Sequence, residues 1–508
     1  MYNNMDIAKQ IIDQNPWWRR REAITQDKHL IKLKESSIKW EPRIKHTFNL
    51  NADIVYTLRG PRQVGKTTLL KLIIEELLIK YKVDPRSVLY FTCDLINYPE
   101  ELVDILQYYN ESIRPKREAR AYIFLDEISS VKEWQKAIKY LSDTNKLVNT
   151  TIILTGSHTI DIKRAYERLP GRRGSLSHLN DTPDKIILPM RFVEYVETIN
   201  KDLREVILRL DMLRVEHRKE LVQEICSGTI PDEINELSLY EKDIKPLFES
   251  YLITGGVPLA IDEYIRKGRI SEDVYKIYVD SVVGDIVRWD KREIYLRQIL
   301  RRIFETMGNA IGWNTLKENT DISSHNTVAD YVDILKDSFV LYYVRFYDIT
   351  RREPLYQKNK KIHFYDPFFY HALKAWVYGK DPFEESMNSL KDTQVTGMLT
   401  EGIVGSHLIR LAFSIAKQKQ LFDYEQALFY WKSKRGREVD FIIDISGLIL
   451  PVEVKYQSKI TKSDRYSIID FHKSSETDKG IILSKDMMEL EGNNNIITLP
   501  VWLFLMLV

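Results

Sequence analysis

IVYTLRGPRQVGKTT, residues 54–68, is the stretch whose reading decides the fold. An apolar, β-branched run over 54–58 reads as a buried strand, and it leads straight into Gly60-x-x-x-x-Gly65-Lys66-Thr67. Beyond the loop, Leu69, Leu70, Leu72, Ile73 and Leu77 keep helical spacing. Strand, glycine loop and helix form the context that a phosphate-binding loop requires. Phosphate needs backbone N–H groups aimed inward without a Cβ in the way, a mobile cation, and a hydroxyl for Mg²⁺. Gly60, Pro61, Arg62, Gln63, Val64, Gly65, Lys66, Thr67 and Thr68 are therefore the expected ATP-binding residues, with Lys66 on the β- and γ-phosphates and Thr67 on the metal.

Three more apolar runs follow. The run at 88–92 (VLYFT) is succeeded by Asp94, and the run at 121–125 (AYIFL) ends in Asp126-Glu127. An aspartate at the tip of a buried strand can hold the Mg²⁺ of a nucleotide through water, and the adjacent glutamate can polarise a water for attack on the γ-phosphate. The fourth run, 151–154, ends in Thr155-Gly156-Ser157-His158, and the hydroxyls of Thr155 and Ser157 are candidate sensors of that phosphate. Strands alternating with helical stretches over 53–190 predict a doubly wound α/β domain.

A chain of 508 residues is too long for one core, and its length suggests about three domains. Seventy-five Lys and Arg against 73 Asp and Glu leave a net charge of only +2, so any contact with nucleic acid must come from local patches. Cys93 and Cys226 cannot build a disulfide framework or a zinc site by themselves, which fits a reducing compartment. MYNNMDIAKQ lacks the apolar core of a secretion signal, and the apolar tail VWLFLMLV (501–508) is too short to span a bilayer. The expectation is a cytoplasmic protein with no membrane partner, the tail being a helix docked on a domain.

GPRQVGKTT, the FLDEI around Asp126, the ILTGS ending at Ser157, LPGRRG (169–174) and LPMRFVEY (188–195) together resemble the archaeal-type AAA+ ATPases. The opening Asn15-Pro16-Trp17-Trp18 is also similar to theirs. The resemblance implies a strand between those carrying the two nucleotide motifs, a helical lid, and an arginine after the fourth strand that acts on a neighbour's nucleotide in a homo-oligomer. Arg172 or Arg173 is the candidate, a solvated loop or a phosphate contact unrelated to hydrolysis being the alternative. Trp17 and Trp18 beside Arg19, Arg20 and Arg21 can pin the N-terminal segment to the next domain or stack on a base, and pinning is the commoner use. Two glycines before a proline, Gly255-Gly256-Val257-Pro258, break a helix and resemble the lid stretch of the same family.

Arg288, Lys291, Arg292, Arg297, Arg301 and Arg302 gather on helical segments, yet Glu293 and Glu305 interleave with them, so a salt-bridged solvated face outweighs a phosphate track. Three short amphipathic segments from 296 to 335 and a strand at 339–346 look like a winged helix-turn-helix. Its third segment offers His325 and Asn326 but carries Asp330, Asp333 and Asp337, which phosphates repel. Contact with another domain or a partner is as good a use for it as groove reading.

The last 110 residues hold a second constellation. Strand alternation in 450–455 puts Glu453 and Lys455 on one face, and Asp440 on the preceding strand can face the same way. Two close carboxylates call for a divalent cation, Mg²⁺ or Mn²⁺, and a lysine beside it can orient or deprotonate a water, the alternative being that these charges pair as cross-strand salt bridges. This arrangement resembles the PD-(D/E)xK nucleases, and the resemblance implies Glu401 as the helix-borne acid and Gln457 as an auxiliary polar residue. Cleavage and mere retention of the fold are both open. The expected layout is an α/β protein: N-terminal segment 1–50, P-loop AAA+ core 51–200, helical lid 201–292, winged helix-turn-helix 293–375, and nuclease-like α/β domain 376–508. Its expected work is Mg²⁺-dependent hydrolysis of ATP to ADP coupled to action on DNA, the alternative being a nucleotide-gated switch whose nuclease-like domain does not cut.

Overall fold

The apolar runs near the front become strands because both of their faces are covered. In the computed structural model, which describes residues 4–115, 119–156, 182–491 and 495–508, β1 (Ile54–Arg59), β3 (Ala121–Asp126) and β4 (Thr150–Thr155) are buried along their whole length. With β2 (Val88–Thr92) and β5 (Asp184–Ile186) they form one parallel sheet in the order β2-β3-β4-β1-β5. β4 thus lies between the strands that carry the glycine loop and Asp126. Parallel strands with apolar residues on both faces need a layer of helices on each side. Helices Lys66–Glu75 and Trp134–Asp143 are among those supplying them.

β2 is an edge strand, and an edge leaves a row of unpaired backbone groups. The N-terminal segment satisfies them with side chains. Asn15, fully buried, accepts from Tyr90 N–H at 2.7 Å and donates to Tyr90 C=O at 2.8 Å, as a paired strand residue would. Gln14 accepts from Thr92 N–H at 2.7 Å, and the indoles of Trp17 and Trp18 both donate to Val88 C=O, at 3.1 and 2.9 Å. Trp17 is buried in the core beneath β2, so both indoles are engaged in pinning.

The chain divides into two units, Met1–Leu188 and Pro189–Val508. The second begins with helices, from Phe192–Ile199 to Glu293–Thr306, and continues through Trp313–Lys317 and His325–Asp337 into a hairpin of β6 (Leu341–Asp348) and β7 (Glu353–Phe364). β6 then pairs in parallel with β8 (Leu428–Lys432). That pairing joins the hairpin to β9 (Glu438–Ile445), β10 (Leu448–Val454), β11 (Gly480–Ser484), β12 (Glu489–Glu491) and β13 (Ile496–Pro500). The result is a single eight-stranded sheet, in the order β12-β13-β11-β10-β9-β8-β6-β7. Helix Thr393–Ile415 packs against β7, β9 and β10. The apolar tail is the buried helix Val501–Leu507, packed on Phe192–Ile199 and Thr393–Ile415. No helix among the described residues is long and apolar enough to cross a membrane.

The paired glycines have a reason beyond ending helix Glu241–Thr254. A Cβ on Gly255 would lie 1.7 Å from Asp366 Oδ1, and one on Gly256 would lie 2.1 Å from Met190 O. Asp366 uses the space to accept from Gly256 N–H and Phe368 N–H, at 2.8 and 2.9 Å, capping helix Pro367–Tyr378. Burial pushes its carboxyl up to about 6, against the two N–H donors and Arg410, which pull it down.

Two outcomes follow from these contacts. Asn15→Ala leaves buried groups of Tyr90 unpaired and should lower unfolding free energy by about 1–3 kcal/mol in denaturant titration. Asp366 binds its proton more tightly folded than unfolded, so its contribution is full below about pH 4 and lost as pH rises toward 6. The loss should approach about 3 kcal/mol, and Asp366→Asn should flatten that window in denaturation curves taken at each pH.

Candidate functional site

The loop after β1 folds as its residues dictate. Gly65 caps helix Lys66–Glu75 with φ of 100°, a left-handed conformation that favours glycine, and a Cβ there would project into open space. Gly60 is required for a different reason, since a Cβ on it would lie 2.1 Å from Ile187 O, the residue whose N–H bonds Arg59 O. Pro61, Arg62, Gln63 and Val64 form the turn between these glycines, and Thr68 lies in the first turn of the helix. Lys66 is 7% exposed and donates to Gly60 O at 2.9 Å and Pro61 O at 2.8 Å, so its ammonium is held over the loop.

Sheet order decides what meets Asp126. With β4 and β2 flanking β3, its buried carboxylate accepts from Thr67 Oγ1 at 2.7 Å, from Tyr90 Oη at 3.0 Å and from Thr155 Oγ1. Tyr90 is therefore a site residue that sequence reading missed; its position two residues before the end of β2, on the strand beside β3, was the available signal. Burial, reinforced by Asp126, pushes the Tyr90 phenol far up, so it donates at any working pH. Glu127 follows at the strand tip with φ of 52°, the left-handed region, which turns the chain away from β3 directly after Asp126. Lys71 lies 3.2 Å from the Tyr90 ring centroid and is itself held by Asp27 at 3.2 Å, so a paired ammonium covers the ring. Ser157, Arg172 and Arg173 lie outside the described residues.

These residues fit a magnesium nucleotide. A hydroxyl and a carboxylate, both hard oxygen donors, stand together at the start of a helix, and the space beside Gly65 at that start is open. Thr67 and Asp126 would hold the metal, and the loop N–H groups and Lys66 the phosphates.

In the second unit Asp440 on β9, Glu453 on β10 and Glu401 on helix Thr393–Ile415 are all buried, and Asp440 accepts from Val454 N–H at 2.9 Å. The unexpected member is Lys361 of β7. Its side chain is 2% exposed, and Nζ lies 2.5 Å from Glu401, 2.9 Å from Asp440 and 3.0 Å from Glu438. Lys455 pairs with Glu453 at 2.5 Å, and Gln457 donates to Asp464 at 3.0 Å. Burial alone would lower the Lys361 ammonium, but Asp440, Glu401 and Glu438 outweigh it and hold it charged. Burial raises Glu401 and Glu453, helped by the charge of Asp440. Burial would raise Asp440 too, yet Lys361 and Lys455 hold it low.

A divalent cation does not fit this arrangement, because an ammonium already stands among the carboxylates. Among the described residues no group of three or more His, Cys, Asp or Glu side chains is set to hold a metal ion. Lys361 and Glu438 were missed because a lysine at the end of a KNKK run reads as solvated; the signal was that IHF follows it without a break.

The basic helical face is engaged. Arg302 bonds Glu305 at 2.5 Å, Lys291 bonds Asp330 at 2.8 Å, and Arg297 stacks on Trp376 at 4.3 Å. On helix His325–Asp337, Lys336 pairs with Glu425 at 2.7 Å, and Tyr343 donates to Asp333 at 3.0 Å.

Comparison with known proteins bears on the first site. Residues 52–196 match the family model of an AAA domain, and the five-stranded parallel sheet with its glycine loop is that of a P-loop AAA+ core. Residues 245–378 and 396–504 match two domains of unknown function, DUF8612 and DUF4143. An uncharacterized protein of Haemophilus influenzae is 23% identical over 410 residues, covering 80% of this chain and 84% of its own. Among solved structures, the Orc1 protein of Aeropyrum pernix in complex with DNA is 13% identical, with a TM-score of 0.29 over 72% of this chain and 94% of that one. Cdc6p from Pyrobaculum aerophilum is 12% identical, with a TM-score of 0.25 over 70% of this chain and 98% of that one. At such TM-scores neither likeness bears on what this chain binds.

Tyr90→Phe tests the contact that sequence reading missed. It should lower stability by about 0.5–1.5 kcal/mol in denaturant titration while shifting ATP turnover less than about tenfold, since Thr67 and Thr155 still fix Asp126.

Proposed function

We propose that the chain is a Mg²⁺-dependent ATPase, and the observation that carries the reading is the meeting of Thr67 and Asp126 beside the open helix start at Gly65. Thr67 and Asp126 would hold Mg²⁺, which would supply charge to offset that developing on the γ-phosphate. In this reading Lys66 leaves the carbonyls of Gly60 and Pro61 for the β- and γ-phosphates, and Glu127 orients the attacking water. Thr155, whose hydroxyl reaches Asp126, or Ser157 reports the γ-phosphate. Arg172 or Arg173 would act on a neighbour's nucleotide in a homo-oligomer.

The proposed layout keeps an N-terminal segment 1–50, the core 51–200, a helical lid 201–292, a winged helix-turn-helix 293–375 and a nuclease-like domain 376–508. Its last two parts share one sheet through the β6–β8 pairing. DNA is the proposed substrate of this half, and cytoplasm the proposed compartment. A second reading is favoured by Lys361: a nucleotide-gated switch in which the nuclease-like domain holds a partner or DNA without cutting.

Lys66→Ala should abolish measurable ATP binding, and Glu127→Gln should bind ATP while its turnover falls by about 10²–10⁴-fold. Unchanged hydrolysis in the glutamine variant would remove Glu127 from that role. ATPase stimulated by DNA supports the motor, whereas slow turnover indifferent to DNA supports the switch. Mass measured with and without ATP decides whether an arginine acting between copies is available.

A further inference from the structure

The carboxylates of Asp440 and Glu401 come from two elements, β9 and helix Thr393–Ile415, and a third element, β7, sends a lysine between them. Three distances from one nitrogen, 2.5, 2.9 and 3.0 Å, describe a cation held by three carboxylate oxygens. Lys361 thus brings a positive charge of its own to the carboxylates. An unpaired buried charge is strongly destabilising, so the fold keeps that ammonium only with its partners in place. His363, on the same face of β7 two residues on, lies 3.8 Å from Glu401, and burial followed by the Lys361 charge pushes it down to about 3, so it adds no second cation.

We infer that Lys361 is a covalently attached substitute for a divalent cation: its ammonium stands where Asp440, Glu401 and Glu438 converge, and its removal exposes a Mn²⁺ or Mg²⁺ site. This rests on the reading of residues 376–508 as nuclease-like and non-cleaving, and it deepens that reading by naming the group that keeps metal out. Neither the lysine nor Glu438 belongs to the D…ExK pattern. Lys361 makes the cluster a lock between β7, β9 and helix Thr393–Ile415.

The test uses the full chain without nucleotide, comparing the parent, Asp440→Asn, Lys361→Ala, Lys361→Met and the double variant Lys361→Ala/Asp440→Ala. Each is titrated with MnCl₂, following free Mn²⁺ by its paramagnetic resonance and the thermal midpoint with and without about 1 mM metal. The parent should show no Asp440-dependent Mn²⁺ site and no metal-dependent midpoint. Lys361→Ala should lose about 5 °C or more in EDTA, bind about one Mn²⁺ per chain, and recover at least half of the loss when metal is added. Lys361→Met, which keeps the stem and lacks the charge, should be destabilised without recovering, and the double variant should not bind.

An Asp440-dependent Mn²⁺ site in the unaltered chain overturns the inference, and so does a folded Lys361→Ala chain that ignores Mn²⁺. Should Lys361→Ala not fold, the parent and Asp440→Asn still decide whether the cluster takes metal with the lysine present, its absence sustaining the inference. Metal-dependent cutting of labelled DNA by the parent, lost in Asp440→Ala, would instead sink the non-cleaving reading itself.

Discussion

A buried charge must have its opposite within reach, and in the second unit that constraint falls on Lys361. Its ammonium can exist at 2% exposure only because Glu401, Glu438 and Asp440 meet it from two other elements. The hairpin of β6 and β7, the strand β9 and the helix Thr393–Ile415 are thereby committed to one arrangement, and the β6–β8 pairing makes the commitment a continuous sheet. Gly405 shows how tightly that helix is seated: a Cβ there would lie 2.0 Å from Tyr342 Oη of β6 and 2.7 Å from the ring of Phe441 on β9.

The first unit answers the same demand for backbone groups. Val88, Tyr90 and Thr92 face outward from an edge strand, and Gln14, Asn15, Trp17 and Trp18 reach them with side-chain donors and acceptors. Because Tyr90 also donates to Asp126, the segment that closes the sheet edge is two hydrogen bonds from that carboxylate. Closure of an edge and positioning of the Asp126 carboxylate are thus served by one tyrosine.

The two sites differ in how far pattern led. The glycine loop, Thr67 and Asp126 were legible because each has a local cause: a strand of β-branched residues, a turn that needs glycine, a helix that starts at a lysine. Asp440, Glu453 and Glu401 were legible as acids on a sheet and a helix, but their occupant was not. The spacing D…ExK says nothing about a lysine some 80 residues earlier that arrives on the same face through another hairpin. The charge pattern of the helix His325–Asp337 was likewise readable, whereas the partners that take up Asp330, Asp333 and Lys336 come from other elements.

Sequence alone therefore determined the parallel core, the glycine loop and the hydroxyl and carboxylate beside it, because period, glycine and strand tip are properties of neighbouring residues. Tertiary structure alone decided that Asn15 would stand in for a strand, that Gly255 would make room for Asp366, and that an ammonium would sit where a metal was expected. Those outcomes depend on which distant groups share a low-dielectric space, and burial makes an unpaired polar group or charge so costly that the fold must settle every partner at once.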